Sequence, residues 1–330
     1  MSLTNLSEFI NTNIYLNAAV SLGISYELLE ERVRYYKLTK DGKELKMLFT
    51  SFGFNDAVAN GIAKDKYATS EFLRTCGIPV PDSALFRSAT KFTTPEEIEE
   101  LLQEAEKMFP CVIKPLDMSL GKGVFVNLTS REMVENAVSE LRKVSARYIL
   151  MEKFVTGTDY RILAVKGKVI DVIQRIPAYV NGDGVNNLSQ LIETKNVYRK
   201  EQMLPLIEID DSALDYLRRH EKTLESVPAK DERVQLKGVA NIAAGGETTR
   251  IPVSEVPEVN IHMFEKVAQE MNMFISGIDF ISTDVRVPYT ENGAGINEVN
   301  GSPHPDVHYF ADMECSLRIA EQVLSAYFGG

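Results

Sequence analysis

The residues whose types and spacing first suggest chemistry lie late in the chain: Asp279, then Glu298 and Asn300. Gly277–Ile281 and Gly295–Pro303 read as two short strands. Side chains alternate along a strand, so Glu298 and Asn300 point the same way and flank the inward-facing Val299. An antiparallel neighbour carrying Asp279 adds a second carboxylate to that face. Two carboxylates and an amide oxygen suit Mg2+, whose shell phosphate oxygens and water complete. An ordinary acidic surface hairpin has the same local sequence, so the upstream chain decides between them.

Two upstream features bear on it. Gly121-Lys122-Gly123 is a turn between strands in which glycines let backbone N–H groups approach a phosphate while Lys122 supplies charge. It is not a Walker A loop, because no Gly-Lys-Ser/Thr ends it and a strand follows. A glycine-rich hairpin with an exposed lysine is the bland alternative. Farther on, Arg161 and Arg175 fall on strands joined by the Lys166-Gly167-Lys168 turn. Arginines in a sheet interior are costly unless they line a cleft or pair with acids.

The positioning elements can be read in order. Leu16, Ala19 and Val20 with Leu22-Gly23-Ile24 suggest a short helical unit, and Tyr26–Tyr36 reads as a second helix. Strands Arg34–Leu38 and Leu45–Thr50 flank an Asp41-Gly42 turn, whose residue pair is a hairpin signal. Asp65-Lys66 opens a helix running to Arg74, closed by Gly77 and two prolines. Thr94-Pro95-Glu96-Glu97 is a helix start, with a capping residue, an N1 proline and first-turn acids, predicting a helix to Met108. Strands are expected at Ala84–Arg87, Cys111–Pro115, Arg147–Val155, Asp159–Val165 and Val169–Ile176. Helices are expected at Ser130–Val144, Leu188–Thr194, Ala213–Arg219 and Ile261–Met271.

Composition sets the outer bounds. With 330 residues, 44% hydrophobic and 25% charged, the chain can bury a core shared by two or three domains. A net charge of −11, with no basic helix face, argues against a broad nucleic-acid surface. No apolar run approaches the roughly 18 residues of a membrane span, and no signal-like N-terminus is visible. A cytoplasmic protein without membrane partners is expected. Three scattered cysteines indicate neither a disulfide framework nor a zinc site.

Taken in order over residues 60–315, the motifs resemble those of the ATP-grasp ligases, in particular the ligase modules of cyanophycin synthetase and of bifunctional glutathione synthetases. The resemblance rests on Ala63-Lys64-Asp65-Lys66, Gly77-Ile78-Pro79-Val80-Pro81, Val112-Ile113-Lys114-Pro115, Gly121-Lys122-Gly123, Arg175-Ile176-Pro177-Ala178, Asn241-Ile242-Ala243-Ala244-Gly245-Gly246 and Glu298-Val299-Asn300. It implies an α/β (α+β) ATP-grasp fold with two lobes and ATP between them. The expected division is a short N-terminal domain (1–65), a small lobe (66–155) and a large lobe (156–330) with an insertion at 181–236.

The same resemblance implies roles for individual residues. Lys66, Lys114 and the Gly121-Lys122-Gly123 loop would serve the ATP phosphates, Glu152-Lys153-Phe154-Val155 the adenine, and Asp159 the ribose. Asp279, Glu298 and Asn300 would hold Mg2+ (or Mn2+), with Asp284 as a second candidate for the first ligand. Arg161, Arg175, Lys237, Asn241 and the Gly245-Gly246 backbone would face the substrate carboxylate and its phosphorylated form. Small-molecule carboxylate and amine substrates and a homodimer are the expected partners. A small-molecule kinase, or an ATP-binding regulatory module without turnover, would use the same nucleotide residues. The Asn300-Gly301-Ser302-Pro303-His304 run departs from the family pattern of Asn-x-x-Pro-Gly, which bears on acceptor contacts. His308 is read as structural or merely near the site.

Overall fold

The structure is a computed structural model, and it describes residues 3–87, 94–116, 123–143 and 147–329. Two compact units emerge, neither continuous in sequence: one of residues 1–52, 173–251 and 304–330, the other of 53–172 and 252–303.

The chain opens with α1 (Leu3–Ser21) and an antiparallel meander of β1 (Ser25–Glu30), β2 (Tyr35–Lys40) and β3 (Lys43–Leu48). The helix expected at Tyr26–Tyr36 is therefore not formed. Residues 25–30 pair with β2 instead, and Arg34 enters the left-handed region at φ 47°, which no helix continues through. The Asp41-Gly42 turn does join two strands, with both residues at positive φ as a two-residue hairpin loop demands.

The second unit begins with α2 (Ala57–Lys64) and α3 (Lys66–Thr75). Asp65 caps α3 by accepting from the Ala68 amide at 2.9 Å. Next come β4 (Ser83–Arg87), α4 (Pro95–Met108), β5 (Cys111–Pro115), β6 (Phe125–Leu128), α5 (Arg131–Lys143) and β7 (Tyr148–Lys153). The capping box read from Thr94 and Glu97 is present. The strands form an antiparallel sheet in the order β4-β7-β5-β6. Helical spacing puts Leu101, Leu102, Ala105 and Met108 of α4 and Val134, Ala137, Val138 and Leu141 of α5 into one core with Ile113, Ile149 and Met151. Each Leu, Ile, Val or Met among them contributes about 1.5–3 kcal/mol by burial, and this core fixes the strands that carry Lys114 and Glu152.

β8 (Thr158–Val165) and β9 (Lys168–Ile176) form the expected hairpin, and the boundary between the units falls inside β9. The first unit resumes with β10 (Tyr179–Asn181), α6 (Leu188–Glu201), α7 (Asp211–Arg219), β11 (Arg233–Gln235) and β12 (Glu247–Ile251). Helix α6 does not stop at Thr194 as expected. A capping box between Asn187 and Gln190 starts it, no breaker intervenes, and it ends only before Met203, at φ 55°. Residues 178–236 have their own core of Ala178, Val180, Leu188, Ile192, Ile207, Leu217, Val234 and Leu236 around the antiparallel β10–β11 pair.

The chain re-enters the second unit with α8 (Glu258–Glu270), β13 (Ile275–Ser282), α9 (Tyr289–Asn292) and β14 (Gly295–Asn300). There β13 lies between β8 and β14, antiparallel to both. The chain returns to the first unit in α10 (Asp306–Tyr309) and α11 (Met313–Phe328), the latter packed on α1. Among the described residues no helix is long and apolar enough to cross a membrane.

Candidate functional site

Strand register assembles the site in the second unit. Asp279 is directly opposite Arg161 of β8 on one side and Glu298 of β14 on the other. Directly opposed residues share a face, so the three make a row across the sheet. Asn300, two residues beyond Glu298, extends it and lies opposite Gly277. The antiparallel arrangement expected from alternation is thus present.

Charge is matched within this row. The Arg161 guanidinium binds both carboxylate oxygens of buried Asp279, with Nη2 to Oδ2 at 3.3 Å. Of the two expectations for an interior arginine, pairing with an acid is what Arg161 does. Lys66, at the start of α3, reaches to 3.8 Å from Glu298. The Asn300 Nδ2 donates to the Gly277 carbonyl at 3.4 Å, so of the two amide atoms Oδ1 is the one whose chemistry suits a cation.

A second charged pair stands on the other sheet of this unit. Lys114 of β5 and Glu152 of β7 are only 7% and 5% exposed and meet at 2.5 Å. Lys114 Nζ also donates to Asn297 Oδ1 at 3.4 Å. That contact comes from a bulge: Asp279 opposes Glu298 while Phe280 opposes Ile296, so Asn297 falls out of register. Strict alternation gives no sign of it. Lys153 and Phe154 anchor the end of β7, their backbone N–H groups donating to the Asp82 and Pro110 carbonyls at 2.8 and 2.9 Å. Half-buried Val155 follows, and Asp159 of β8 lies opposite Ile281 of β13. Gly123 is at φ 69°, with Leu141 and Pro115 close to where a Cβ would stand. Gly121 and Lys122 lie outside the described residues.

Asp284, the alternative metal ligand, serves its own loop. Its Oδ1 accepts from the Arg286 amide at 2.9 Å and lies 3.6 Å from the Arg286 guanidinium. Among the described residues no three His, Cys, Asp or Glu side chains gather as a metal cage. Glu298 and Asn300 fit a different kind of site. One carboxylate and one amide oxygen suffice for Mg2+ when substrate phosphates supply the other ligands. Asp279 can join them through the oxygen lone pairs that Arg161 does not take.

The remaining expected residues belong to the first unit. Arg175 is half-buried near the end of β9. Lys237 is buried and paired with Asp210 at 3.0 Å. Burial acts to raise the Asp210 carboxyl, but the Lys237 ammonium and the Ala213 amide hold it below the ordinary carboxylate range. Asn241, Gly245 and Gly246 form one tight turn, in which the Gly246 amide donates to the Asn241 carbonyl at 2.9 Å. A Cβ on Gly246 would lie 2.8 Å from the carbonyl oxygens of both Asn241 and Ile176. The glycine pair is therefore required by backbone packing, whatever else it does. His308 is buried.

Sequence reasoning missed Asn55. Its amide donates to the Ile275 and Gly301 carbonyls, both at 2.7 Å, and accepts from the Phe274 amide at 2.7 Å and the Ile275 amide at 3.2 Å. It ties the start of β13 to the chain just beyond β14. Nothing local marks it, since its partners are 219 to 246 residues away.

Comparison with known proteins bears on the family. Residues 84–204 match the family model described as the ATP-grasp domain of prokaryotic glutathione synthetase. Cyanophycin synthetase of Trichormus variabilis is 33% identical over 272 residues, 81% of this chain and 29% of that protein. The glutathione biosynthesis bifunctional protein of Pasteurella multocida is 26% identical over 331 positions, 97% of this chain and 42% of that one. The crystal structure of a bifunctional glutathione synthetase from Pasteurella multocida matches the fold with a TM-score of 0.66 at 24% identity, covering 97% of this chain and 43% of its own. The chain thus spans well under half the length of these relatives. Sequence and fold together identify it as an ATP-grasp protein, homologous to cyanophycin synthetase and to bifunctional glutathione synthetase.

Proposed function

We propose that the chain is an ATP- and Mg2+-dependent carboxylate–amine ligase, joining amino acids or short peptides by an amide bond through an acylphosphate. The observation that carries this reading is the row Arg161–Asp279–Glu298, flanked by Lys66 and by the buried Lys114–Glu152 pair. Cations for phosphate and oxygens for a metal are interleaved there in one unit.

On this reading Lys66, Lys114, Lys122 and the backbone at Gly121 and Gly123 hold phosphates. Glu152-Lys153-Phe154-Val155 and Asp159 receive the nucleoside. Glu298 and Asn300 hold Mg2+, joined by Asp279, and the metal offsets phosphate charge when bound. Arg161 then serves the substrate carboxylate. A carboxylate is a poor acyl donor, so it takes a phosphoryl group, and phosphate leaves when the amine attacks. Both steps build negative charge on oxygen, which fixed guanidinium and ammonium groups stabilise without reorganising. No side-chain nucleophile is required.

The test is release of ADP and phosphate from ATP and Mg2+ across pairs of amino acids and dipeptides, with condensation products sought by mass spectrometry, beside Glu298→Gln. An amide product that needs both substrates and is lost in the variant supports the ligase. Phosphorylated carboxylate or alcohol accumulating with no amine dependence would replace it with a kinase.

A further inference from the structure

The bulge in β14 decides which side chains face the site. Asp279 opposes Glu298 and Phe280 opposes Ile296. Opposed residues share a face, so Glu298 stands with Asp279 on the site face, and Ile296 with fully buried Phe280 on the core face. Ile296 and Glu298 are two apart, and strict alternation would give them one face. The extra residue between them, Asn297, is what sets them on opposite faces. Asn297 is half-buried, as are Glu298 and Asn300, whereas Ile296 and Val299 are buried.

The Asn297 side chain reaches the other sheet of the same unit. Its Oδ1 accepts from Lys114 Nζ at 3.4 Å, and Lys114 is its one hydrogen-bond partner among the described residues. The same ammonium lies 2.5 Å from Glu152. Glu152 and Lys114 already form a neutral pair, so a second carboxylate would hold the ammonium against an incoming phosphate. A neutral amide oxygen directs it without that competition. An ammonium has three N–H donors, so the bond to Asn297 persists while another donor takes a phosphate oxygen. Glu298, next in the chain, lies 3.8 Å from Lys66. Two adjacent residues of one bulge thus each meet a lysine of the nucleotide set.

We propose that Asn297 is a positioning residue, which holds the Lys114 ammonium toward the Asp279–Glu298–Asn300 row as that ammonium turns from Glu152 to the phosphates of the nucleotide. The inference rests on the ligase reading and adds to it a residue that acts through Lys114, touching neither metal nor nucleotide.

The test is calorimetry of MgATP, and of Mn2+ without nucleotide, on the wild type and Asn297→Ala. At 3.4 Å the bond is a long one, and its loss should weaken MgATP about threefold to tenfold. Mn2+ affinity should be unchanged. The same substitution is then made in Lys114→Met/Glu152→Gln, where the lysine is removed together with its carboxylate so that no buried charge is left unpaired. There Asn297→Ala should have no further effect on MgATP, because the group it acts through is gone. Melting temperature checks that each variant is folded. An equal loss of MgATP affinity with and without Lys114 overturns the inference, as does wild-type MgATP affinity in folded Asn297→Ala. A matching loss of Mn2+ affinity overturns it too, by making Asn297 part of the metal site. The Mn2+ comparison needs only the single variant, so it decides the matter where the background without Lys114 fails to fold or binds MgATP too weakly to measure. A wild type that binds no MgATP removes the ligase reading itself, and this inference with it.

Discussion

At the scale of single residues, Gly277 shows how closely the site is packed. A Cβ there would lie 2.8 Å from the Pro303 Cβ and 3.0 Å from Arg161 Nη1. Gly277→Ala should therefore cost about 1–3 kcal/mol in stability by overpacking and displace Arg161 from Asp279. Urea denaturation measures the first effect, and a variant as stable as the wild type would contradict the packing argument. Glu247 gives a prediction with a sign in pH. Burial acts to raise its carboxyl, but the Lys195 hydrogen bond and charge hold it below the ordinary range. A carboxyl lowered by folding contributes stability above its unfolded pKa, about 4.3, and loses that contribution as pH falls through the folded value. The melting-temperature gap between wild type and Glu247→Gln should thus be widest near neutrality and close on acidification. A gap constant from pH 7 to 3 would show that Glu247 acts by shape alone.

At the scale of elements, the question is what local sequence can announce. Thr94-Pro95-Glu96-Glu97 announced α4 because every contact in a capping box lies within one turn. The opposition of Asp279 and Glu298 was likewise legible, since strand periodicity fixes which residues share a face. β1 was not. Its Glu-Leu-Leu-Glu-Glu run favours a helix locally, and pairing with β2 overrides that preference. The bulge at Asn297 was hidden for a related reason, because a register shift belongs to two strands and not to one. Asn55 is the extreme case. Asn55→Ala should leave the carbonyls of Ile275 and Gly301 and the amides around Phe274 without their partner, costing about 2–5 kcal/mol. Native-state hydrogen exchange should then locate the loss at the Phe274 and Ile275 amides. Unchanged protection at those two amides would mean that β13 is held without Asn55.

At the scale of the molecule, segments from opposite ends of the second unit's sequence bring together a charge-neutral set of ionisable groups. Lys66 faces Glu298, Lys114 faces Glu152 and Arg161 faces Asp279. On the proposed function, this neutrality makes each ligand poor at binding alone. A divalent cation arriving by itself must displace Lys66 from Glu298, and a nucleotide by itself must draw Lys66 and Lys114 from their carboxylates. When both arrive, the partners of one pair exchange: Glu298 turns to the metal and Lys66 turns to phosphate, so neither of these two charges is left unpaired. Metal and nucleotide should therefore strengthen each other's binding reciprocally, by about 5- to 150-fold if the coupling is of ordinary size. Calorimetry of ATP with EDTA or with Mg2+, and of Mn2+ with or without ATP, measures both sides of that cycle. Lys66→Met separates this coupling from simple chelation of the metal by ATP in solution. Freed of its lysine, Glu298 should bind Mn2+ more tightly without nucleotide, and the coupling should shrink. If the variant binds Mn2+ alone no better than the wild type, the Lys66–Glu298 pair does not restrain the metal site, and the exchange of partners is not how this unit takes up its ligands.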